Sequence, residues 1–225
     1  MRKKILKSLE SFITPRRSEL IDSVLTNRTR YITVALEDIF QPHNASAVLR
    51  SCDCFGIQDV HIIENRNPYR VNPDVALGAD KWLNIHKYSG HDNNTLEAVN
   101  HIKRNGYRIV ATSLTAGSIA IDHFDIHKSK FALFFGTELT GLSDTVNQHA
   151  DEFIKIPMFG FTQSFNISVS AAIVLYHFSR LLRESSLPWS LSSQEQTELK
   201  IKWIKQGMRN PEKIEGYLTD ENNHD

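Results

Sequence analysis

The stretch FIKIPMFGFTQSFNISVSAAIVLYHF, Phe153 to Phe178, decides the fold that we expect for this chain. It predicts the end of a short buried strand at Ile154–Pro157, a loop at Met158–Phe165 and a long helix at Asn166–Leu182. The small residues that open the helix let another backbone or a ligand come close, and its unpaired N–H groups favour polar or anionic groups there. Ser164 and Asn166 are therefore either helix caps, the usual role of Ser and Asn at this place, or parts of a ligand site.

Strands and helices alternate along the rest of the chain, and the strands are short, continuous apolar runs. The further predicted strands are Tyr31–Leu36, Val60–Ile63, Trp82–Ile85, Tyr107–Thr112 and Phe131–Phe135. The further predicted helices are Ile5–Phe12, Ser18–Leu25, Asn44–Phe55, Thr95–Arg104, Leu142–Ala150 and Ser192–Gln206, while Ile119–Lys130 shows no defined element. This pattern predicts an α/β fold with a parallel sheet covered by helices on both faces.

Ligands of such sheets bind beyond the carboxyl ends of the strands. The loops expected at that edge are Gln41–Asn44, Thr112–Thr115, Gly136–Ser143 and Pro157–Ser164. Neither GxGxxG nor GxxxxGK[ST] occurs, so the sequence supports neither a Rossmann dinucleotide site nor a P-loop.

Composition narrows the class of protein further. A chain of 225 residues suits one domain with appendages, and it contains no apolar run long enough to span a membrane. The N-terminal MRKKILKSLESF lacks the apolar core of a secretory signal. The two cysteines, Cys52 and Cys54, match neither a zinc knuckle nor a CxxC redox pair. We therefore expect a cytoplasmic protein with free thiols and without a metal centre.

Positive charge is concentrated near the chain ends although the formal net charge is zero. Residues 1–30 hold eight Lys/Arg against three acids, and residues 178–213 hold seven against four. Basic ends on an acidic middle suggest contact with a polyanion. Ordinary solvated helix faces explain the same charges equally well.

Three segments place polar groups directly beside buried elements: PHNASAVLRS (Pro42–Ser51), FFGTELTGLS (Phe134–Ser143) and IPMFGFTQSFN (Ile156–Asn166). Arg50 in an otherwise apolar helix needs a partner or a solvent-filled cleft, which a surface salt bridge or a functional site could provide. Glu138 could hydrogen-bond a ligand or cap neighbouring N–H groups.

NASAVLRS, FFGTELTGLSD and IPMFGFTQSFNISVSAA, in this order, resemble the three motifs of the SpoU (TrmH) family of RNA ribose 2′-O-methyltransferases, in the SPOUT superfamily. The resemblance covers about residues 28–183, and NRTRYITVALEDIFQPHN is similar to the start of the family's tRNA enzymes. It implies a methyltransferase domain at 28–183 with a C-terminal deep trefoil knot, between a basic helical extension (1–27) and a helical extension with a polar tail (184–225). It further implies bound S-adenosylmethionine and a homodimer whose active site draws on both subunits.

The resemblance also assigns residues to roles. Catalytic residues are expected at Asn44, Arg50, Glu138, Ser164 and Asn166, and cofactor-binding residues at Thr112, Leu114, Gly136, Ile156, Phe165 and Asn166. Phe165 departs from the family, which usually has leucine there. The expected RNA phosphate contacts are Arg16, Arg17, Arg28, Arg30, Arg180 and Arg183.

The expected reaction is 2′-O-methylation of a tRNA ribose, with the D-loop guanosine as the target. A ribosomal RNA methyltransferase of the same family and a non-catalytic RNA-binding protein with this fold are the alternatives. Methyl transfer from a sulfonium is an in-line displacement that depends mainly on positioning. Because the pKa of an arginine is too high for a base, we expect Arg50 to orient the hydroxyl and neutralise the adjacent phosphate. His43 is a nearby alternative as the base, or is simply a loop histidine.

Overall fold

The computed structural model describes residues 2–115 and 117–208, with side chains from Ile5 onward. These residues form two compact units. The larger unit is Thr29–Trp189, and the smaller one contains the described residues on either side of it. The larger unit lies close to the expected domain at 28–183.

Seven parallel strands form the sheet of the larger unit. They are β1 (Ile32–Glu37), β2 (Asp59–Ile63), β3 (Asn84–Tyr88), β4 (Arg108–Thr112), β5 (Ile119–Ala120), β6 (Phe131–Phe135) and β7 (Glu152–Lys155), in the order β3-β2-β1-β6-β4-β7-β5. Val34 of β1 lies opposite Val60 of β2 and Leu133 of β6, which fixes the register at the centre. The predicted parallel α/β fold is confirmed.

Helices cover both faces of this sheet. They are α3 (Pro42–Cys54), the single turn α4 (Pro73–Ala76), α5 (Asn94–Arg104), α6 (Asp144–His149) and α7 (Ile167–Glu184). Helices α3 and α7 pack with Val34 and Leu133 in one core cluster, whereas α5 and α6 pack with Ala35 and Phe134 in another. Successive strand side chains point to opposite faces, so strands buried on both faces must be apolar throughout.

The structure corrects three local predictions. Helix α3 begins at Pro42 rather than Asn44, because proline at the first helical position lacks only an N–H that would be unpaired there anyway. Strand β3 begins two residues later than expected, and β5 is a two-residue strand in a region where no element was predicted.

The smaller unit consists of α1 (Arg2–Glu10), α2 (Pro15–Leu25) and α8 (Ser193–Gln206). Lys200 of α8 lies 2.6 Å from a carboxylate oxygen of Glu10 and 2.8 Å from one of Asp22, and thereby joins the three helices. Sequence analysis treated the two extensions as separate, whereas the structure packs them together. The predicted disordered end, EGYLTDENNHD, lies outside the described residues. The knot stays a prediction.

Within residues 2–115 and 117–208, no helix is long and apolar enough to cross a membrane.

Candidate active site

The four loops predicted to form a site all follow the carboxyl ends of strands. Gln41–Asn44 leads from β1 into α3, and Thr112–Thr115 follows β4. Gly136–Ser143 connects β6 with α6, and Pro157–Ser164 connects β7 with α7. Since β1, β6, β4 and β7 are consecutive neighbours in a parallel sheet, these loops meet at one edge.

Three of the five predicted catalytic residues form a hydrogen-bonded cluster at this edge. The Asn44 side-chain amide donates to Glu138 Oε1 at 3.1 Å, and the Asn166 amide donates to the same oxygen at 2.7 Å. Asn166 Nδ2 also lies 3.2 Å from Asn44 Oδ1. The cluster therefore joins the loops after β1, β6 and β7 through side chains of one residue from each.

Asn166 both caps α7 and belongs to the cluster. Its Oδ1 accepts the backbone N–H of Ser168 at 2.9 Å and the Ser168 hydroxyl at 2.6 Å, which is N-cap geometry. Because the oxygen is committed to the helix, the amide nitrogen must point away from it, towards Glu138. The predicted cap is thus confirmed for Asn166, and its part in a ligand site stays a prediction, while Ser164 is exposed in the loop and does not cap.

Glycines shape the loop that carries Glu138. A Cβ on Gly136 would lie 2.2 Å from the carbonyl oxygen of Gly141, so no larger residue fits without moving the backbone. Gly141 has a φ of 70°, a left-handed conformation that glycine adopts without strain. Thr137 and Gly141 exchange two backbone hydrogen bonds of 3.0 Å across the loop. Glu138 therefore sits on a tightly closed loop.

A cavity of about 520 Å³ lies between the loops after β4, β6 and β7. The predicted cofactor-binding residues Thr112, Leu114, Gly136, Ile156 and Phe165 all line it, and so do Ser164 and Glu138. We call it the donor cavity, because the residues expected to bind the methyl donor line it. The structure thus brings together five of the six residues expected at a common cofactor site.

A second cavity, of about 760 Å³, lies on the other side of the Gly136–Leu142 loop. Asn44 and Glu138 line it together with Asp38, Arg66 and Asp92, which come from the loops after β1, β2 and β3. Glu138 lines both cavities. The amide–carboxylate cluster therefore lies where the two spaces meet.

Arg50 is not part of this cluster. It is exposed on α3 and lines neither of the two cavities. Arg50 lies six positions after Asn44, a translation of about 9 Å along the helix, and its side chain is turned to a different side. His43 is also exposed, at the start of α3.

The arginines predicted to contact RNA differ in their availability. Arg28 is only 2% exposed and its guanidinium lies 5.2 Å from the centre of the Trp203 ring, which argues against a phosphate contact; its role in RNA binding stays a prediction. Arg183 donates to the carbonyls of Ser179 and Phe55, the latter at the end of α3, and this position argues for a structural role.

Of the remaining four arginines, two are engaged in ion pairs. Arg30 donates to Asp59 at 2.8 Å, and exposed Arg180 donates to Glu184 at 2.8 Å. Arg16 is exposed and Arg17 is partly exposed on α2. The predictions for these four residues stay open.

Sequence analysis missed two acidic residues at the end of β1. Glu37 is 3% exposed, and both of its carboxylate oxygens accept hydrogen bonds. Asp38 Oδ1 accepts the backbone N–H groups of residues 65–67. The available signal was an acidic pair that directly ends an apolar strand at the ligand-binding edge.

In the part of the chain that the structure describes, no group of three or more His, Cys, Asp or Glu side chains could hold a metal ion.

Comparison with known proteins identifies the family. Residues 31–176 match the model of the SpoU rRNA Methylase family. The tRNA (guanosine(18)-2′-O)-methyltransferase of Borreliella burgdorferi is 46% identical over 210 residues, which cover 93% of this chain and 94% of that protein. The crystal structure of the A. aeolicus TrmH/SpoU tRNA modifying enzyme covers 85% of this chain and 96% of its own, with a TM-score of 0.75 and 30% identity.

The AdoMet complex of AviRb from Streptomyces viridochromogenes shares the fold, with a TM-score of 0.60 at 21% identity over 72% of this chain and 65% of its own. The family model covers well over half of the chain, and the Borreliella relative matches nearly all of it. This chain therefore belongs to the SpoU methylase family.

Proposed function

We propose that this protein transfers the methyl group of S-adenosylmethionine to the ribose 2′-hydroxyl of guanosine 18 in tRNA, the reaction in the name of the Borreliella relative. The observation that carries the proposal is the cluster of Asn44, Glu138 and Asn166 at the border of the donor cavity. The similarity extends over nearly the full length of both proteins, which supports a shared substrate as well as a shared fold.

The donor cavity fits S-adenosylmethionine. Its volume is in the usual range for small-molecule sites. Leu114, Ile156 and Phe165 provide apolar walls suited to an adenine ring, and backbone groups of the surrounding loops provide hydrogen-bonding positions. The missing Cβ of Gly136 keeps the loop closed against this space. Bound there, the cofactor supplies an electrophilic methyl group on a sulfonium.

The chain's own residues position the nucleophile. Displacement at a methyl group requires an oxygen held in line with the bond that breaks, and correct placement lowers the barrier by several kcal/mol, on the order of 10 at most. Glu138 holds both amides of the cluster, so Asn44, Glu138 and Asn166 present a fixed set of donors and acceptors to a ribose. Ser164, which lines the donor cavity as Glu138 does, adds a hydroxyl.

We infer that the active protein is a homodimer and that Arg50 acts in the site of the other subunit, where it orients the hydroxyl and neutralises the adjacent phosphate. The position of Arg50 outside its own chain's cluster supports this arrangement. Large apolar side chains near the site are exposed, including Leu139 (97%), Phe159 (98%) and Val169 (43%). Such groups are typical of surfaces that another protein covers.

Arg16, Arg17 and Arg180 are the proposed phosphate ligands. Replacement of Arg16 and Arg17 by glutamine is expected to reduce the slope of log K against log salt by about one for each phosphate that is no longer neutralised. Arg104→Gln, at an exposed arginine of α5, is the control and is expected to leave the slope unchanged. We also place the protein in the cytoplasm, because neither Cys52 nor Cys54 forms a disulfide.

The test is transfer of a labelled methyl group from S-adenosylmethionine to unmodified bulk tRNA and, separately, to unmodified ribosomal RNA, followed by mapping of the methylated nucleotide. Label in the ribose of guanosine 18 supports the proposal. Label only in ribosomal RNA would keep the chemistry and overturn the substrate. Cofactor binding without transfer to either RNA would indicate a binding protein with this fold.

A further inference from the structure

Glu37 is a buried carboxylate that the proposed mechanism does not use. It is the last residue of β1, at the centre of the sheet, and only 3% of its surface is exposed. A carboxylate in such a place is costly unless hydrogen bonds compensate for lost hydration. Its partners therefore indicate what the side chain is for.

Three hydrogen bonds converge on this carboxylate. Oε1 accepts the hydroxyl of Thr95 at 2.5 Å and the hydroxyl of Ser143 at 2.7 Å. Oε2 accepts the backbone N–H of Ser143 at 2.8 Å. Ser143 thus binds Glu37 through both its side chain and its backbone.

Both hydroxyls donate to Glu37, and each also accepts a second hydrogen bond. Ser143 Oγ accepts the N–H of Val146 as the N-cap of α6. Thr95 Oγ1 accepts the side-chain amide of Asn65 at 2.8 Å. The two hydroxyls and the backbone N–H that face Glu37 all find acceptor oxygens at this position.

Asp38 reinforces the same end of the strand. It has a φ of 51°, an uncommon conformation for a residue with a side chain. Its Oδ1 accepts the backbone N–H groups of Asn65 at 2.7 Å and Arg66 at 2.8 Å. The acidic pair thereby fastens the loop after β2 through Asp38 and the loop after β6 through Glu37.

The loop after β6 is the one that carries Glu138. Its first residue, Gly136, lies against Gly141, and its last residue, Ser143, is bound to Glu37. Between these two points the loop forms the wall that the donor cavity shares with the second cavity. A shift at Ser143 would therefore displace Glu138 and both amides that bind it.

We propose that Glu37 is a positioning residue for methyl transfer. Its carboxylate fixes the Gly136–Ser143 loop, and through this loop it sets the place of Glu138 relative to the ribose and the donor cavity. The inference rests on the proposed function, and it assigns Glu37 a role through the Gly136–Ser143 loop rather than through direct contact with a reactant.

The test is Glu37→Gln, which keeps the shape and removes one acceptor. The amide nitrogen of glutamine then faces a donor from which it cannot accept a hydrogen bond. We expect the single-turnover rate of methyl transfer at saturating substrates to fall about 10- to 100-fold, the loss typical of a small misplacement. The KM for tRNA is expected to stay within about threefold, because the loss concerns alignment rather than binding.

Glu64→Gln is the matched control. Glu64 directly follows the neighbouring strand β2 and accepts the backbone N–H of Tyr69 at 2.9 Å, away from the Gly136–Ser143 loop. The Glu64→Gln substitution is expected to lower the melting temperature without changing the single-turnover rate of methyl transfer. Ser143→Ala serves as a milder second variant that keeps the backbone hydrogen bond to Glu37 and is expected to slow transfer less.

The double variant Glu37→Gln/Ser143→Ala shows whether the two residues act together. If Glu37 acts through Ser143, the combined loss is smaller than the product of the single losses. A folded Glu37→Gln protein with an unchanged single-turnover rate would overturn the proposal, as would an equal loss in Glu64→Gln. A wild-type protein that methylates no RNA ribose would instead refute the proposed function.

Discussion

Asn166 uses a single amide for the observed cap of α7 and for the proposed positioning of the substrate. Its oxygen caps α7, and its nitrogen donates to Glu138. The cap fixes the orientation of the amide without any help from a substrate. Aspartate could cap the helix equally well but could not donate to Glu138.

Replacement of Asn166 by aspartate separates the two tasks. We expect Asn166→Asp to retain the cap and the helix, because Oδ1 still accepts from Ser168. Methyl transfer is expected to fall at least about 100-fold, because two donors are lost and a second carboxylate faces Glu138. Circular dichroism and single-turnover kinetics measure the two effects.

Asn166→Ala is the comparison, because it removes both tasks. The alanine variant is expected to be about 1 kcal/mol less stable than Asn166→Asp, because the cap is lost. Its rate of methyl transfer is expected to be similarly low. Near-normal transfer by Asn166→Asp would show that the nitrogen of this amide has no part in the reaction.

A second residue, His61, links stability to pH. Its side chain is 4% exposed on β2, stacks on His86 at 4.8 Å and pairs with the Tyr88 hydroxyl at 2.9 Å. Burial, together with nearby His86 and His101 and against the opposing effect of Asp59, lowers the pKa of His61 to about 3. The folded protein thus holds this imidazole neutral.

The unfolded chain binds a proton at His61 below pH about 6.5, whereas the folded chain does so only near pH 3. Stability is therefore expected to fall as the pH decreases from about 6.5 towards 3, with a loss of about 2 kcal/mol by pH 5 from this group. His61→Gln should remove that part of the slope in urea unfolding at pH 7, 6 and 5. His123→Gln, at an exposed histidine, should leave it unchanged; equal slopes for wild type and His61→Gln would contradict the assignment.

The loop between β6 and α6 is the element on which both cavities depend. Gly136→Ala would place a methyl group 2.2 Å from the Gly141 carbonyl oxygen, so the loop must open. We expect a loss of about 1–3 kcal/mol of stability, as for other overpacked sites. Affinity for S-adenosylmethionine, measured by titration calorimetry, is expected to fall at least about tenfold.

Gly160→Ala provides the control for this loop. A Cβ at Gly160 meets no atom within 4 Å, and the residue lies in the neighbouring loop between β7 and α7. Cofactor affinity and melting temperature should therefore stay near the wild-type values. Unchanged affinity in Gly136→Ala would show that the closed loop is not needed for the donor site.

The secondary-structure elements of this chain were predictable where the pattern of apolar residues favours one type of element. Runs such as FALFF at β6 are short and apolar throughout, which favours a strand covered by helices on both faces. Strand β5 has just two residues and no such run, so its place in the sheet depends on pairing with β7.

The residues of the candidate site were predictable only in part. The residues of the cluster were found through motif resemblance, whereas Glu37 was missed because its partners, Thr95 and Ser143, are distant in sequence.

The whole molecule poses a different question, because one chain does not bring Arg50 to its own cluster. A cluster built on Asn166 and an arginine on an exposed helix surface fit a site completed by a second copy. In a symmetric dimer each subunit would then give one arginine and receive one. This arrangement predicts complementation between variants that are inactive alone.

Arg50→Ala and Asn166→Ala chains, co-expressed with different tags and purified as heterodimers, are expected to regain about half of the wild-type rate. One of the two sites then combines an intact cluster with an intact arginine, while the other lacks both. Heterodimers of Asn166→Ala with Glu138→Ala are the control and should stay inactive, since both residues belong to one chain's cluster. If the first pair forms dimers but shows no activity, Arg50 acts in the site of its own chain and the proposed arrangement is wrong.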